Sequence, residues 1–306
     1  MTTRAELFRA LGSLCEPPTP AAHSLEAALA LPGPPTDQEH TDVFLFQLYP
    51  YASVYLGAEG MLGGEAGDRV AGFWRALGVT PPAEPDHLAA LLALYAKLIE
   101  WELEESDDAR RALRREARKA LLWEHLLSWV PVFADKVCRM TSPFYAGWAY
   151  LLFDALIDEA RSLGGQETLS LHLRVAPELP RPSENPSSFL SALLAPVRSG
   201  MVITRADLAR AAHDLDLGLR VGERRFVLES FFAQDADATL EWLTREAYLA
   251  AEHHASFASD LEVISLFWRG RAEAAAALLS AGLSSAEGVM QIHVCAPPRS
   301  TEQPQV

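Results

Sequence analysis

Apolar residues recur three and four positions apart along most of this chain, the spacing that lines one face of a helix. Leu7, Phe8, Leu11 and Leu14 set the pattern, with Thr3 as cap, Glu6 three residues on, and Pro17, Pro18 and Pro20 as the stop. Short helices are expected near 24–31 and 39–48. The run Tyr49-Pro50-Tyr51-Ala52-Ser53-Val54-Tyr55-Leu56 carries proline and rings together and cannot be a clean helix. Gly57, Gly60, Gly63 and Gly64 then predict turns. A helix follows over 65–77 and ends at Gly78. Pro85 suits the first turn of a helix to about residue 105. The charged break Ser106-Asp107-Asp108 starts a long helix to Trp129, with Pro131 as stop or kink. Ser142-Pro143 opens another helix, which Gly164-Gly165 closes.

The second half repeats the pattern after a break. Residues 166–187 hold proline, serine and asparagine and are expected to be a linker. Thr204 with Asp207 is a second capping signature, ahead of Leu208, Ala211 and Ala212. Helices follow over 223–232 and, capped by Asp235 or Asp237, on to about residue 281. A short strand is expected at 289–294 and a disordered tail beyond Pro297. No fixed repeat and no strand–helix–strand alternation interrupts this. The expected fold is all-α: a helical domain over 1–165, the linker 166–187, a second, mostly helical domain over 188–295, and a tail over 296–306.

Charge narrows the partners. The chain has 306 residues and a formal net charge of −15. Residues 1–165 carry 14 basic against 23 acidic groups, and 166–306 carry 12 against 18, so both halves repel phosphate backbones. Nucleic acid is therefore not expected as a partner. Cys15, Cys138 and Cys295 are few, odd in number and far apart, which predicts reduced thiols rather than a disulfide framework. No apolar signal core opens the chain, and no run is long enough to span a bilayer. A cytoplasmic protein without stable membrane insertion, monomer or homodimer, is the expectation. Arg224-Arg225 is internal and reads as a pair on a helix surface.

Catalytic chemistry is poorly represented. The glycine run 57–64 matches neither a phosphate loop nor a dinucleotide fingerprint, and no Lys-Ser or Lys-Thr follows it. A nucleotide-binding (GTP) hydrolase using that run is the weaker alternative to a plain turn. No serine sits in a nucleophile elbow. His253 and His254 are neighbours that diverge on a helix, and His293-x-Cys295 offers two ligands where closed zinc sites use four. No catalytic residue, metal ligand or cofactor is assigned. The segment 204–229, with Arg210, Arg220, Arg224 and Arg225, also fits a helix-turn-helix, but two packed helices explain it more simply in an acidic half.

Two short motifs break the apolar pattern in the same way. Glu84-Pro85-Asp86-His87-Leu88 and Glu124-His125-Leu126-Leu127-Ser128-Trp129 each place a carboxylate beside an imidazole in apolar surroundings. Five of the seven tryptophans (Trp74, Trp101, Trp123, Trp129 and Trp148) lie in the same half, with Tyr49, Tyr51, Tyr55, Tyr95 and Tyr145. Core packing is the ordinary role of such rings, yet their polar edges also favour binding surfaces. A carboxylate at the edge of an aromatic groove is the natural partner of a guanidinium. The simpler reading of Asp86 is a helix cap, favoured there by the helix dipole. It leaves His125 without a role.

In this order, the helix over 4–14, the run Tyr49-Pro50-Tyr51-Ala52-Ser53-Val54-Tyr55, Glu84-Pro85-Asp86-His87-Leu88, Glu124-His125-Leu126-Leu127-x-Trp129 with Phe133, and Phe144-Tyr145 resemble the TorD/DmsD/NarJ-type family of redox-enzyme maturation chaperones. The likeness spans about residues 4–163. It implies an all-helical cytoplasmic chaperone, not an enzyme, and a TorD-like helical bundle for the first domain. Its partners would be the twin-arginine signal peptide and the apo-subunit of a molybdoenzyme, held until cofactor insertion and export. By motif, the implied peptide-binding positions are Tyr51, Ser53, Tyr55, Asp86, His87, Leu88, Glu124, His125 and Trp129. The family offers no counterpart for residues 166–306.

Overall fold

A computed structural model describes residues 3–140, 142–181 and 186–284. Its helices run α1 Thr3–Ser13, α2 Pro20–Ala28, α3 Asp37–His40, α4 Ala52–Leu56, α5 Gly64–Ala76, α6 Leu88–Glu104, α7 Asp108–Ala120, α8 Val130–Cys138 and α9 Pro143–Leu163. The second half adds α10 Leu171–Arg174, α11 Pro186–Leu193, α12 Pro196–Ser199, α13 Arg205–Asp214, α14 Arg224–Gln234, α15 Ala236–Ala255 and α16 Glu262–Ser284. No strand forms among the described residues; one isolated antiparallel bridge joins Tyr51 to His87. The fold is all-α, as the apolar spacing predicts. The expected strand at 289–294, Cys295 and the tail lie outside the described residues.

Several boundaries differ from the sequence pattern, each for a local reason. The helix expected near 24–31 begins earlier, at Pro20, because proline is suited to the first turn. The helix expected from Pro85 starts only at Leu88, since Asp86 and His87 are engaged by Pro50–Ala52: Leu88 N donates to Pro50 O at 2.8 Å and Ala52 N to Asp86 O at 3.0 Å. The run after Tyr49-Pro50 is extended only as far as Tyr51 and then turns helical in α4. The long helix to Trp129 breaks up. It passes into a π-helical turn, Leu121–Leu126, and ends before α8. A second π-helical turn, Thr41–Gln47, follows α3. Such turns carry one surplus residue and gather at functional sites; here one immediately precedes the Tyr49-Pro50 run and the other contains Glu124-His125.

Two apolar cores form. The first is built on α1, α6, α8 and α9 around Phe8, Tyr95, Trp129, Phe133 and Trp148. The second gathers Phe189, Leu193, Leu228, Phe231, Trp242 and Leu243. Val197, Phe257, Leu261, Ile264 and Trp268 come from the second half yet belong to the first core. Trp268 donates its indole N–H to Ser128 O at 3.1 Å. Within the expected linker, Leu173 is buried in the first core and Leu179 in the second. A buried ion pair, Lys136 Nζ to Asp207 Oδ2 at 2.7 Å, joins α8 to α13. Asp207 also closes the expected capping box with Thr204.

Candidate functional site: an acidic double groove beside the Tyr51–His87 bridge

The bridge converts two distant sequence motifs into one surface. Ser53 N donates to Asp86 Oδ2 at 3.0 Å, so the carboxylate caps the start of α4 from across 33 residues. Ser53 Oγ in turn accepts from Gly63 N at 3.0 Å, which fixes the end of the glycine loop. Trp74 of α5 donates to Pro85 O at 3.2 Å and holds the other motif in place. The loop is pinned on its far side as well: Arg198 Nε donates to Ala58 O at 2.8 Å, and a Cβ on Gly60 would lie 2.9 Å from Ala195 Cα. That close approach, with φ of +61° at Gly60, is what requires glycine there.

Two depressions open on either side of the ridge Pro82-Ala83-Glu84. One, of about 470 Å³, lies between the glycine loop, α5 and the ridge and is lined by Tyr51, Gly67, Asp68, Arg75, Glu84 and Asp86. The other, of about 630 Å³, lies between α1, α6 and the same ridge and is lined by Arg9, Glu16, Glu84, His87, Ala90 and Ala93. Carboxylates predominate on both. The two cations face different fates: Arg9 is engaged by Glu100, whose hydrogen bond and charge, with Glu6, raise its pKa against the opposing effect of burial, whereas Arg75 lines the first depression.

Tyr51 stands on the rim, half-buried, and donates its hydroxyl to Glu84 Oε2 at 2.9 Å. Burial and the neighbouring carboxylates of Glu84, Asp86 and Glu16 push its phenol well above the usual range, so it stays a donor at physiological pH. Its ring meets the His87 imidazole edge-on at 4.7 Å. His87 caps α6, its Nδ1 accepting from Ala89 N at 3.2 Å. The same nitrogen lies 3.3 Å from Glu16 Oε1. One lone pair cannot accept from an amide while the same atom donates to a carboxylate. Burial lowers the His87 pKa against the pull of Glu16, Glu84 and Asp86, so the neutral, capping form is the resting one.

The second motif lies elsewhere. Glu124 is exposed, on the side of α5 that carries Arg69, and it borders neither depression. His125 is buried, its ring 4.7 Å from Phe73, and burial with the Arg69 charge lowers its pKa to about 4. Asp86 and Glu124 therefore do not share a cleft. Trp129 is sealed in the core, stacked on Tyr55 at 5.1 Å, with its indole N–H bound to His125 O at 2.8 Å. Ser53, Tyr55 and Leu88 are likewise buried. Of the nine positions singled out, Tyr51, Asp86 and His87 border the grooves. Ser53, Tyr55, Leu88, His125 and Trp129 lie beneath or behind them, and Glu124 stands apart.

Sequence reasoning passed over Glu16, Asp68, Arg75 and the ridge Pro82-Ala83. The signal available was modest: Asp68 and Arg75 lie one and about three helical turns from Gly64, on the face of α5 that also presents Gly67 and Ala71. Of the arginines of the alternative DNA reading, Arg210 is paired with Asp207 at 2.6 Å and Arg225 with Glu229 at 2.9 Å, while Arg220 is exposed over the Phe226 ring. Arg224, expected on a helix surface, is partly buried and donates to Ile203 O. Among the described residues no group of three metal-ligating side chains converges, and no helix is long and apolar enough to cross a membrane.

Residues 18–135 match the protein family described as the nitrate reductase delta subunit. The chain is similar to the chaperone protein TorD of Photobacterium profundum, 29% identical over 123 residues, covering 39% of this chain and 57% of that protein. It is also similar to the chaperone protein TorD of Vibrio vulnificus, from two strains, 33% identical over 96 residues, covering 29% of this chain and 44% of theirs. The chain spans about half the length of the curated relatives it matches. No solved structure matches it.

Proposed function

We propose, from the premise that the first helical unit is a member of the TorD/DmsD/NarJ-type family, that this chain is a cytoplasmic chaperone for a molybdenum-containing oxidoreductase subunit. It binds the subunit's twin-arginine signal peptide and its apo form before cofactor insertion and export. The observation that carries the reading is the pair of grooves sharing the Glu84 rim, with Glu16, Asp68 and Asp86 along them. Two successive guanidiniums need two acidic positions a few ångströms apart, each open to bidentate bonds. Glu84 and Asp68 are exposed enough to supply them, and Tyr51 and His87 frame them. Asp86, committed to Ser53 N, organises the site, and the buried Tyr55–Trp129 stack supports its floor. We place residues 1–165 as the recognition domain and 188–295, described as far as residue 284, as a second, mostly helical domain, with 166–187 as the linker between them.

Titration calorimetry with a synthetic twin-arginine signal peptide and its Lys-Lys counterpart tests this. The arginine peptide is expected to bind about tenfold more tightly, since lysine keeps the charge but loses the bidentate fork. Glu84→Gln and Asp68→Asn should weaken it by a similar factor, and added salt should weaken it further. Glu124→Gln, away from both grooves, should leave the affinity unchanged. Binding of neither peptide removes the reading, and equal binding of both removes the guanidinium contacts.

A further inference from the structure

On the opposite side of the glycine loop, the second half holds a cavity of about 550 Å³ with the reverse electrostatics. Arg181, Arg198 and Arg271 line it, against a single carboxylate, Glu178. In a chain of net charge −15, three guanidiniums around one cavity stand out. Two of them are held in place by backbone. Arg271 donates to Ala176 O at 2.7 Å and to Pro177 O at 3.0 Å, with its guanidinium 5.1 Å from the Phe267 ring centre. Arg198 spends Nε on Ala58 O and keeps the rest of its fork. Both are partly buried, and among the described residues neither closes an ion pair with a carboxylate. Burial and the charge of Arg198 lower the pKa of Arg271, while Glu178 alone opposes them. Like charges held together in a half-dry pocket are costly until an anion joins them.

We infer that this cavity binds an organic phosphate: a phosphate monoester or diphosphate between Arg198 and Arg271, with its carbon skeleton along Leu179, Ala274, Ala277 and Leu278. Charge selects phosphate over a single carboxylate. Three cations and one anion leave an excess of about two, which matches the roughly −1.5 to −2 of a phosphate monoester. Volume selects an ester over the bare ion. The cavity falls in the range of about 300–1,000 Å³ that takes whole small molecules, and one wall is apolar. The site stands independently of the acidic grooves, and its ligand need not be a peptide.

Calorimetry and thermal melts of the full chain at low salt, with inorganic phosphate, pyrophosphate, phenyl phosphate and citrate, test the inference. Phenyl phosphate and pyrophosphate are expected to bind and to raise the melting temperature, with phenyl phosphate ahead of inorganic phosphate. Arg198→Gln should weaken binding by about tenfold, the loss of one charge-assisted pair. Because that variant also loses the Ala58 bond, Ala274→Glu gives the cleaner test. It places a carboxylate on the exposed face of α16, three residues from Arg271, without touching any backbone contact. It should abolish phosphate binding while leaving the unliganded melting temperature equal or higher. No binding by any phosphate, citrate bound as tightly as pyrophosphate, or full binding by Ala274→Glu would each overturn the assignment. Inorganic phosphate bound as well as phenyl phosphate would overturn its organic part.

Discussion

Equilibrium unfolding is expected to lose stability steeply as the pH falls from 6.5 toward 4, well before most carboxylates protonate. The three imidazoles with the largest shifts carry most of it. Burial lowers His125 to about 4, with Arg69 adding to it, and lowers His172 to about 3, with Arg69 and His125 adding. His254 is lowered to about 4, mainly by burial, against the hydrogen bond to Gly200 O and the charge of Asp135. The geometry agrees. His254 Nε2 donates to Gly200 O at 2.7 Å, and its other ring nitrogen is buried with no acceptor, so a second proton has nowhere to bond. The Nε2 of His172 is buried without a partner too.

A histidine whose folded pKa lies below the unfolded 6.5 binds fewer protons when folded. Its contribution is complete above 6.5 and is lost as the pH falls toward the folded value. For His125 and His254 the shifts correspond to on the order of 2–3 kcal/mol each, a large part of a typical 5–15 kcal/mol. Asp207 works in the same direction at lower pH. Burial raises it, but Lys136 and the bonds from Thr204 outweigh that and hold it below the usual range, so its share is lost only as the pH falls through that depressed value. Urea midpoints at pH 7 and pH 5 measure the effect. His254→Gln keeps a donor for Gly200 without a titrating ring, and should lower the midpoint at pH 7 but flatten its fall. Equal midpoints at both pH values in the parent chain would refute the account.

Sequence alone carried the helices but not their joins. Periodicity finds α1, α5 and α9 because each buries one continuous face. It misplaces the start of α6 because the bridge between Tyr51 and His87 is a long-range pairing, and Pro85 reads locally as a helix opener. It joins α7 to Trp129 because a π-helical turn adds one residue without disturbing apolar composition. Asp86 and His87 are legible as polar residues in an apolar stretch. That the exposed partners are Glu84 and Asp68, while Glu124 lies toward Arg69 of α5, depends on which face of α5 meets which motif, and no spacing rule states it. The packing of residues 166–187 is hidden for a related reason. Proline content marks where helices stop, not whether Leu173 and Leu179 find cores to enter.

Trp268→Ala is expected to destabilise the whole chain by about 3–5 kcal/mol, the range for deleting a large buried ring. Trp268 is fully buried, and although it sits in α16 it belongs to the core of the first unit. Its indole N–H is bound to Ser128 O, and Ser128 adjoins Trp129, the ring stacked on Tyr55. The loss is therefore twofold. A cavity opens between the units, and a buried carbonyl is left without its donor, itself a cost of about 1–3 kcal/mol. Trp268→Phe separates the two, since it keeps most of the volume and removes only the N–H. It should cost about 1–3 kcal/mol, the smaller part of the alanine effect. Backbone leaves little room for the surroundings to close over the gap. A Cβ on Gly200 would already lie 2.8 Å from Trp268 O and 2.4 Å from Ala272 N, so α12 and α16 are packed against each other main chain to main chain. Chemical denaturation of the three proteins, followed by tryptophan emission and by far-ultraviolet dichroism, gives both numbers. If the two halves of the chain were energetically independent, the alanine variant would show two separate transitions with the first unit's unmoved. A single transition, displaced for every probe, is the outcome that Trp268 in the first core requires.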